Sequence, residues 1–221
     1  MNEKQLAFIN RRIDEFTKKA RLRKRPKLKR YKGLTPASAN GFLNRLYVSE
    51  NFLEEWERGS YEENDVDALL AHEFGHLIAF EKSRLEPVKS FLFIVYLTLL
   101  PGILVTYWSL QIHEPGMIST VIMVCWFFFL PWITRRVYVP AEIEADNNAI
   151  AFNLADAQQL ADALLKRIST HKREKWGPSE TLELLWSMLT HPSLYETLQN
   201  LGFELRLGRV HSDQSNLRAL Q

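Results

Sequence analysis

Leu6, Ile9, Ile13 and Phe16 recur three or four residues apart with charged residues between them, which predicts an amphipathic helix over Asn2–Ala20. Gly33–Asn40, with Pro36 and small polar residues, reads as a loop. In Asn44–Ser49 the pattern changes to alternation, with Leu46 and Val48 on one side of a short strand. Val66–Leu85 returns to a helical pattern, entered through Asp65 and Asp67, where the helix dipole favours acidic residues. Ala141–Leu154, Asp156–Lys172 and Ser179–Leu189 read as three further helices, the last two separated by Gly177 and Pro178. From about Gly208 the chain is polar and predicted to be loose.

Between the Val66 helix and the Ala141 helix the polar positions vanish. Ser90–Ile112 and Pro115–Thr134 are uncharged runs of 23 and 20 residues. Each is long enough to cross a hydrocarbon core of about 30 Å as a helix. The connection Gln111–Gly116, with His113, Glu114, Pro115 and Gly116, suits a helical hairpin. Tyr107, Trp108, Trp126 and Trp132 lie towards the ends of the runs, as interfacial aromatics do. A buried hairpin in a water-soluble core is the competing reading, but core helices seldom stay uncharged for so long. Lys82, Arg84 and Lys89 precede the first run, and Arg135 and Arg136 follow the second. The connecting loop has no Lys or Arg, so the positive-inside rule places both termini and the soluble parts on the cytoplasmic side of an inner or plasma membrane.

Composition adds two points. The net charge of +2 conceals ten basic and no acidic residues between Lys18 and Lys32, leaving 18 basic against 26 acidic residues elsewhere. Such a block fits anionic lipid head groups. Nucleic acid is the weaker candidate, because Tyr31 is the one aromatic residue available for base stacking. The single cysteine, Cys125, excludes an intramolecular disulfide framework and sits within an apolar run. The charged start of the chain, with no apolar stretch, does not read as a secretory signal peptide.

The chemistry concentrates in His72-Glu73-Phe74-Gly75-His76, an H-E-x-x-H pattern within the predicted Val66 helix. Histidines four apart project from one helical face and both reach a single zinc ion, while Glu73 is placed to take a proton from an attacking water. A helix carrying two surface histidines is the plain alternative. Ala68–Ala71 and Leu77–Ala79 make this helix apolar on most sides, where unpaired histidines would be costly. A catalytic zinc site needs a third protein ligand. Glu142 and Asp146, four apart on the next polar helix, offer a ligand and a carboxylate to fix a histidine ring, unless they are an ordinary acidic helix start. His191, followed by Pro192, either stabilises an oxyanion or caps a helix end; the residues leave both open.

Four stretches occur in a familiar order: Asn40-Gly41-Phe42 leading into Leu46-Tyr47-Val48, then His72–His76, Glu142–Asp146 with Ala149, and Thr190-His191-Pro192. Over about Asn40–Leu201 the chain resembles the HtpX-type membrane metallopeptidases, gluzincins related to the CAAX prenyl proteases. The resemblance implies zinc bound by His72, His76 and Glu142, Glu73 as general base, Asp146 behind a histidine, and His191 assisting at the oxyanion. It also implies that Leu46, Tyr47 and Val48 form a strand that pairs with extended substrate. Two features depart from the family: the region before the zinc helix, where two further spans are usual, is polar and basic, and Thr197 stands where an arginine is usual.

The expected architecture is therefore mainly α (α+β), a gluzincin-like domain with a small sheet edged by Leu46–Val48 and an inserted transmembrane hairpin. The expected segments are 1–32, the amphipathic helix and basic segment; 33–89, with the zinc helix; 90–134, the hairpin; 135–205, completing the peptidase; and 206–221, a polar tail. The expected activity is zinc-dependent endoproteolysis of membrane or membrane-associated proteins. A catalytically idle zinc-binding membrane adaptor is the alternative, and the intact Glu73 argues against it.

Overall fold

The computed structural model describes residues 3–33, 35–83, 116–171 and 192–202, with isolated positions between 93 and 107. Helix α1 (Glu3–Lys19) is followed by strands β1 (Lys27–Tyr31), β2 (Ala37–Asn40) and β3 (Arg45–Ser49). Then come α2 (Glu50–Glu57), α3 (Glu63–Lys82), α4 (Gly116–Ala151), α5 (Ala157–His171) and α6 (Leu194–Asn200). The described protein is thus mainly helical with one small sheet, as the pattern predicts. The Ser179–Leu189 helix lies outside the described residues.

Three of the four α1 stripe residues are buried, and Leu6 is half-buried. Ile9, Ile13 and Phe16 join Leu46, Val48, Val66, Leu70 and Phe74 in one core. Each large apolar side chain so buried contributes about 1.5–3 kcal/mol. Phe16 meets Phe74 edge-on with ring centroids 5.3 Å apart, and Arg12 grips the Asp67 carboxylate through two nitrogens. At 100° per residue, Asp67, Leu70, Phe74 and Ile78 lie on the α3 face opposite His72 and His76. The amphipathic helix therefore braces the back of the histidine helix.

Helix α3 starts three residues before the predicted Val66. The Glu62 backbone N–H donates to the Asp65 carboxylate at 2.7 Å, and the Glu62 side chain accepts from the Asp65 N–H, a reciprocal cap that fixes the first turn. Asp65→Ala is expected to cost about 0.5–2 kcal/mol, read as a lowered denaturation midpoint.

The sheet corrects one expectation. Its order is β1-β3-β2, with β1 parallel and β2 antiparallel to β3. Leu46 and Val48 do face the core, but their strand is central, and its backbone pairs on both sides. Both flanking strands are additions: β1 lies within the basic segment and β2 within the expected loop. The edge beside α3 is β2, which packs against that helix. At Gly41 the approach is so close that a Cβ would meet the Phe80 ring carbon at 2.3 Å.

The second correction concerns α4. The predicted helix at Ala141 is the C-terminal part of one 36-residue helix that runs through Pro131 and Pro140. Its length is about 54 Å at 1.5 Å per residue. It ends with Asn153 in the left-handed region (φ 51°), as Leu154 N–H reaches back to the Ala149 carbonyl at 2.9 Å. Among the described residues no helix is long and apolar enough to cross a membrane. Most of Ser90–Ile112 lies outside those residues, as do most side chains of Pro115–Thr134, so the predicted hairpin is not found among them.

Candidate metal centre

The site forms where α3 and α4 cross. Glycine costs a helix interior about 1 kcal/mol relative to alanine, yet Gly75 sits between the two histidines. Its reason is steric. A Cβ at Gly75 would lie 2.0 Å from the Ala145 carbonyl oxygen, so only a bare backbone lets α4 approach this near. Ala145 and Ala149 are themselves fully buried and small. Asn148 adds a polar latch: its Nδ2 donates to the Gly75 carbonyl at 3.4 Å, and its Oδ1 accepts from Lys82 Nζ.

This close approach sets Glu142 and Asp146, one helical turn apart on α4, against the histidines of α3. Glu142 Oε2 lies 3.2 Å from His72 Nε2, and Glu142 Oε1 lies 3.4 Å from His76 Nε2. One ligand atom from each of His72, His76 and Glu142 falls within 4.8 Å of the other two. The imidazoles stand nearly perpendicular, with centroids 4.9 Å apart. His72 Nδ1 is 2.7 Å from Asp146 Oδ1, which fixes the ring with Nε2 turned towards Glu142.

Burial alone would favour the neutral form of each group, but the hydrogen bonds outweigh it. Asp146 and Glu142 hold the His72 imidazole well above its ordinary pKa, and the two histidines hold the Glu142 carboxyl well below the usual carboxylate range. Glu73 shows the opposite balance: burial pushes its carboxyl up, against the charges of His72 and His76. Arg167 of α5 lies near enough to oppose that rise as well. The centre therefore combines two imidazoles and a carboxylate aimed at one point, with a second carboxylate beside them whose proton affinity is raised.

Comparison with known proteins settles the kinship. Residues 3–203 match the family model described as Peptidase family M48. The chain belongs to peptidase family M48. No curated protein and no solved structure matches it. The M48 match begins at the first residue of α1, the helix that braces α3, and extends three residues past the end of α6 at Asn200.

Within this M48 domain the structure gathers His72, Glu73, His76, Glu142 and Asp146 at one centre. It does not bring the backbone of Leu46, Tyr47 and Val48 to an open edge, since β3 is paired on both sides; Tyr47 instead meets the Tyr31 ring at 6.3 Å. His191 lies outside the described residues. The chain just after it is held against α4: Arg135 pairs with Glu196, whose carboxylate also accepts from Ser193 N–H at 2.7 Å in a capping box. Thr197 bonds back to the Ser193 carbonyl at 3.2 Å. Gly75, Asn148 and Arg167 escape sequence reasoning as contributors to the centre. A glycine inside an otherwise strong helix is the one signal that could have exposed the first of them.

Asp146→Ala is expected to weaken metal binding about 10–100-fold, by releasing the His72 ring. Competition with a chromophoric chelator reads the change directly; unchanged affinity would mean that packing alone orients the ring.

Proposed function

We propose that the chain is a zinc-dependent endopeptidase, anchored in a membrane, that hydrolyses peptide bonds of membrane or membrane-associated proteins on the cytoplasmic side. The observation that carries the catalytic part is the convergence of His72, His76 and Glu142 within 4.8 Å, with Glu73 on the next residue. Two imidazoles and one carboxylate suit zinc, and three protein ligands leave a position for chemistry. When bound, zinc supplies the Lewis acidity that polarises a scissile carbonyl and acidifies the attacking water. In this reading Glu73 accepts the water's proton and delivers it to the leaving amine, while Asp146 keeps His72 oriented. His191 remains the proposed oxyanion donor.

An extended substrate is read as pairing with β2, at Ala37–Asn40, in place of the central strand. Among the described residues β2 has one neighbour, and it lies beside the histidine helix. Backbone pairing along such an edge holds a peptide in extended form with little regard to its sequence.

The membrane part rests on the two uncharged runs and on the basic residues that bracket them. The runs separate the two ligand-bearing segments in the chain, which favours substrates that lie at the membrane. The test is proteolysis, including self-cleavage, by detergent-purified protein before and after zinc removal. Stoichiometric zinc with activity that disappears under chelation and returns with zinc supports the reading. Absence of zinc binding sinks it, and zinc binding without turnover of any peptide favours the idle adaptor.

A further inference from the structure

The turn between β2 and β3 carries two large apolar side chains in the open. Phe42 is 60% exposed and Leu43 is 52% exposed, side by side at the tip. The turn is nevertheless built firmly. Leu43 N–H donates to Asn40 Oδ1 at 2.9 Å, and Asn44 N–H donates to the Gly41 carbonyl at 3.2 Å. Asn44, in the left-handed region at φ 48°, binds the basic segment alongside. Its Nδ2 donates to the Arg25 carbonyl at 3.1 Å, and its own carbonyl accepts from Lys27 N–H at 2.9 Å.

Those bonds place positive charge around the apolar tip. Lys24 and Lys27 are exposed, and Arg45, half-buried, is the register partner of Lys27 at the same end of the sheet. The nearby acidic groups are occupied: Glu81 pairs with Arg23, and Asp14 with Arg25. The tip also adjoins the point where the chain leaves for the first apolar run. Phe42 packs on Phe80 with centroids 4.8 Å apart, and α3 ends two residues later at Lys82.

We propose that this turn is an interfacial contact with an anionic bilayer, in which Phe42 and Leu43 enter the acyl boundary while Lys24, Lys27 and Arg45 bind headgroup phosphates. The inference rests on the membrane part of the function proposed above and assigns it a surface that is not part of either apolar run. Apolar side chains rimmed by basic ones are the chemistry that anionic membrane surfaces attract. Phe80 follows His76 by one helical turn, about 6 Å along the axis. Contact at the tip would hold the metal centre close above the lipid and limit its reach to chain segments emerging there.

The test uses the full chain with Cys125→Ser, labelled at Leu43→Cys with an environment-sensitive fluorophore. It is reconstituted in phosphatidylcholine vesicles with and without phosphatidylserine, and brominated acyl chains act as quenchers. Arg58→Cys, exposed at the end of α2, is the reference position. The label at 43 is expected to shift to the blue and to be quenched several-fold more than the label at 58. Quenching should weaken in neutral vesicles and in a Lys24→Glu, Lys27→Glu, Arg45→Glu variant. Equal quenching at 43 and 58 overturns the proposal, and so does a label at 43 already shielded before lipid is added, which would mean a protein surface covers the tip. Extraction with alkaline carbonate tests the apolar runs separately: a chain that washes off yet is quenched at 43 loses its spans and keeps this contact.

Discussion

Glu73→Gln is expected to lower peptide hydrolysis about 10²–10⁴-fold, the usual contribution of a positioned general base. The metal content should stay at the wild-type level, because Glu73 is not among the converging ligand atoms. Glutamine preserves the shape of the side chain and removes its ability to accept a proton. Burial raises the Glu73 carboxyl above its ordinary value, against the opposing charges of His72 and His76, and so strengthens it as a proton acceptor. Single-turnover proteolysis alongside metal analysis separates the outcomes. Activity retained in the variant would move the base elsewhere. Parallel loss of activity and metal would make Glu73 a part of the scaffold.

Gly75→Val is expected to damage the centre without touching a ligand. A Cβ already meets the Ala145 carbonyl at 2.0 Å, so valine forces α4 away from α3. Overpacking of this kind costs about 1–3 kcal/mol, and a clash with backbone belongs at the upper end or beyond. The same displacement carries Glu142 and Asp146 from both histidines together. Metal affinity should therefore fall further than in Asp146→Ala, which frees the His72 ring alone. Thermal denaturation with and without metal shows both effects: a lower midpoint, and a smaller rise on adding metal. A variant that melts earlier yet gains the full metal increment would show that the crossing tolerates the shift.

The candidate metal centre was the most legible part of the chain because its geometry is local. His72 and His76 share a helical face by spacing alone, as do Glu142 and Asp146. What spacing could not give was the crossing that joins the pairs, which depends on Gly75 meeting Ala145, 70 positions apart in the chain. The sheet was only half legible. Alternation at Leu46 and Val48 identifies which face is buried, but it carries no information about neighbours across the hydrogen bonds. The flanking strands hide for different reasons: Lys27, Lys29 and Arg30 make β1 look like a solvated charge run, and Ala37-Ser38-Ala39-Asn40 lacks the branched side chains that mark strands. In α4, the helix expected to begin at Ala141 is already under way at Gly116 and passes through Pro140, a residue that ordinarily interrupts a helix.

That continuity makes α4 a drive shaft. Pro131 and Pro140 are places where it can bend. No loop, however, separates Gly116 from Glu142, so the apolar end and the ligand end belong to one continuous helix. A roll of about 20° carries a side-chain tip some 5 Å from the helix axis through roughly 2 Å. Metal coordination tolerates about 0.2 Å. A roll of that size at the ligand end would therefore part Glu142 from His72 and His76, and the close packing of Ala145 on Gly75 is what holds the shaft in phase.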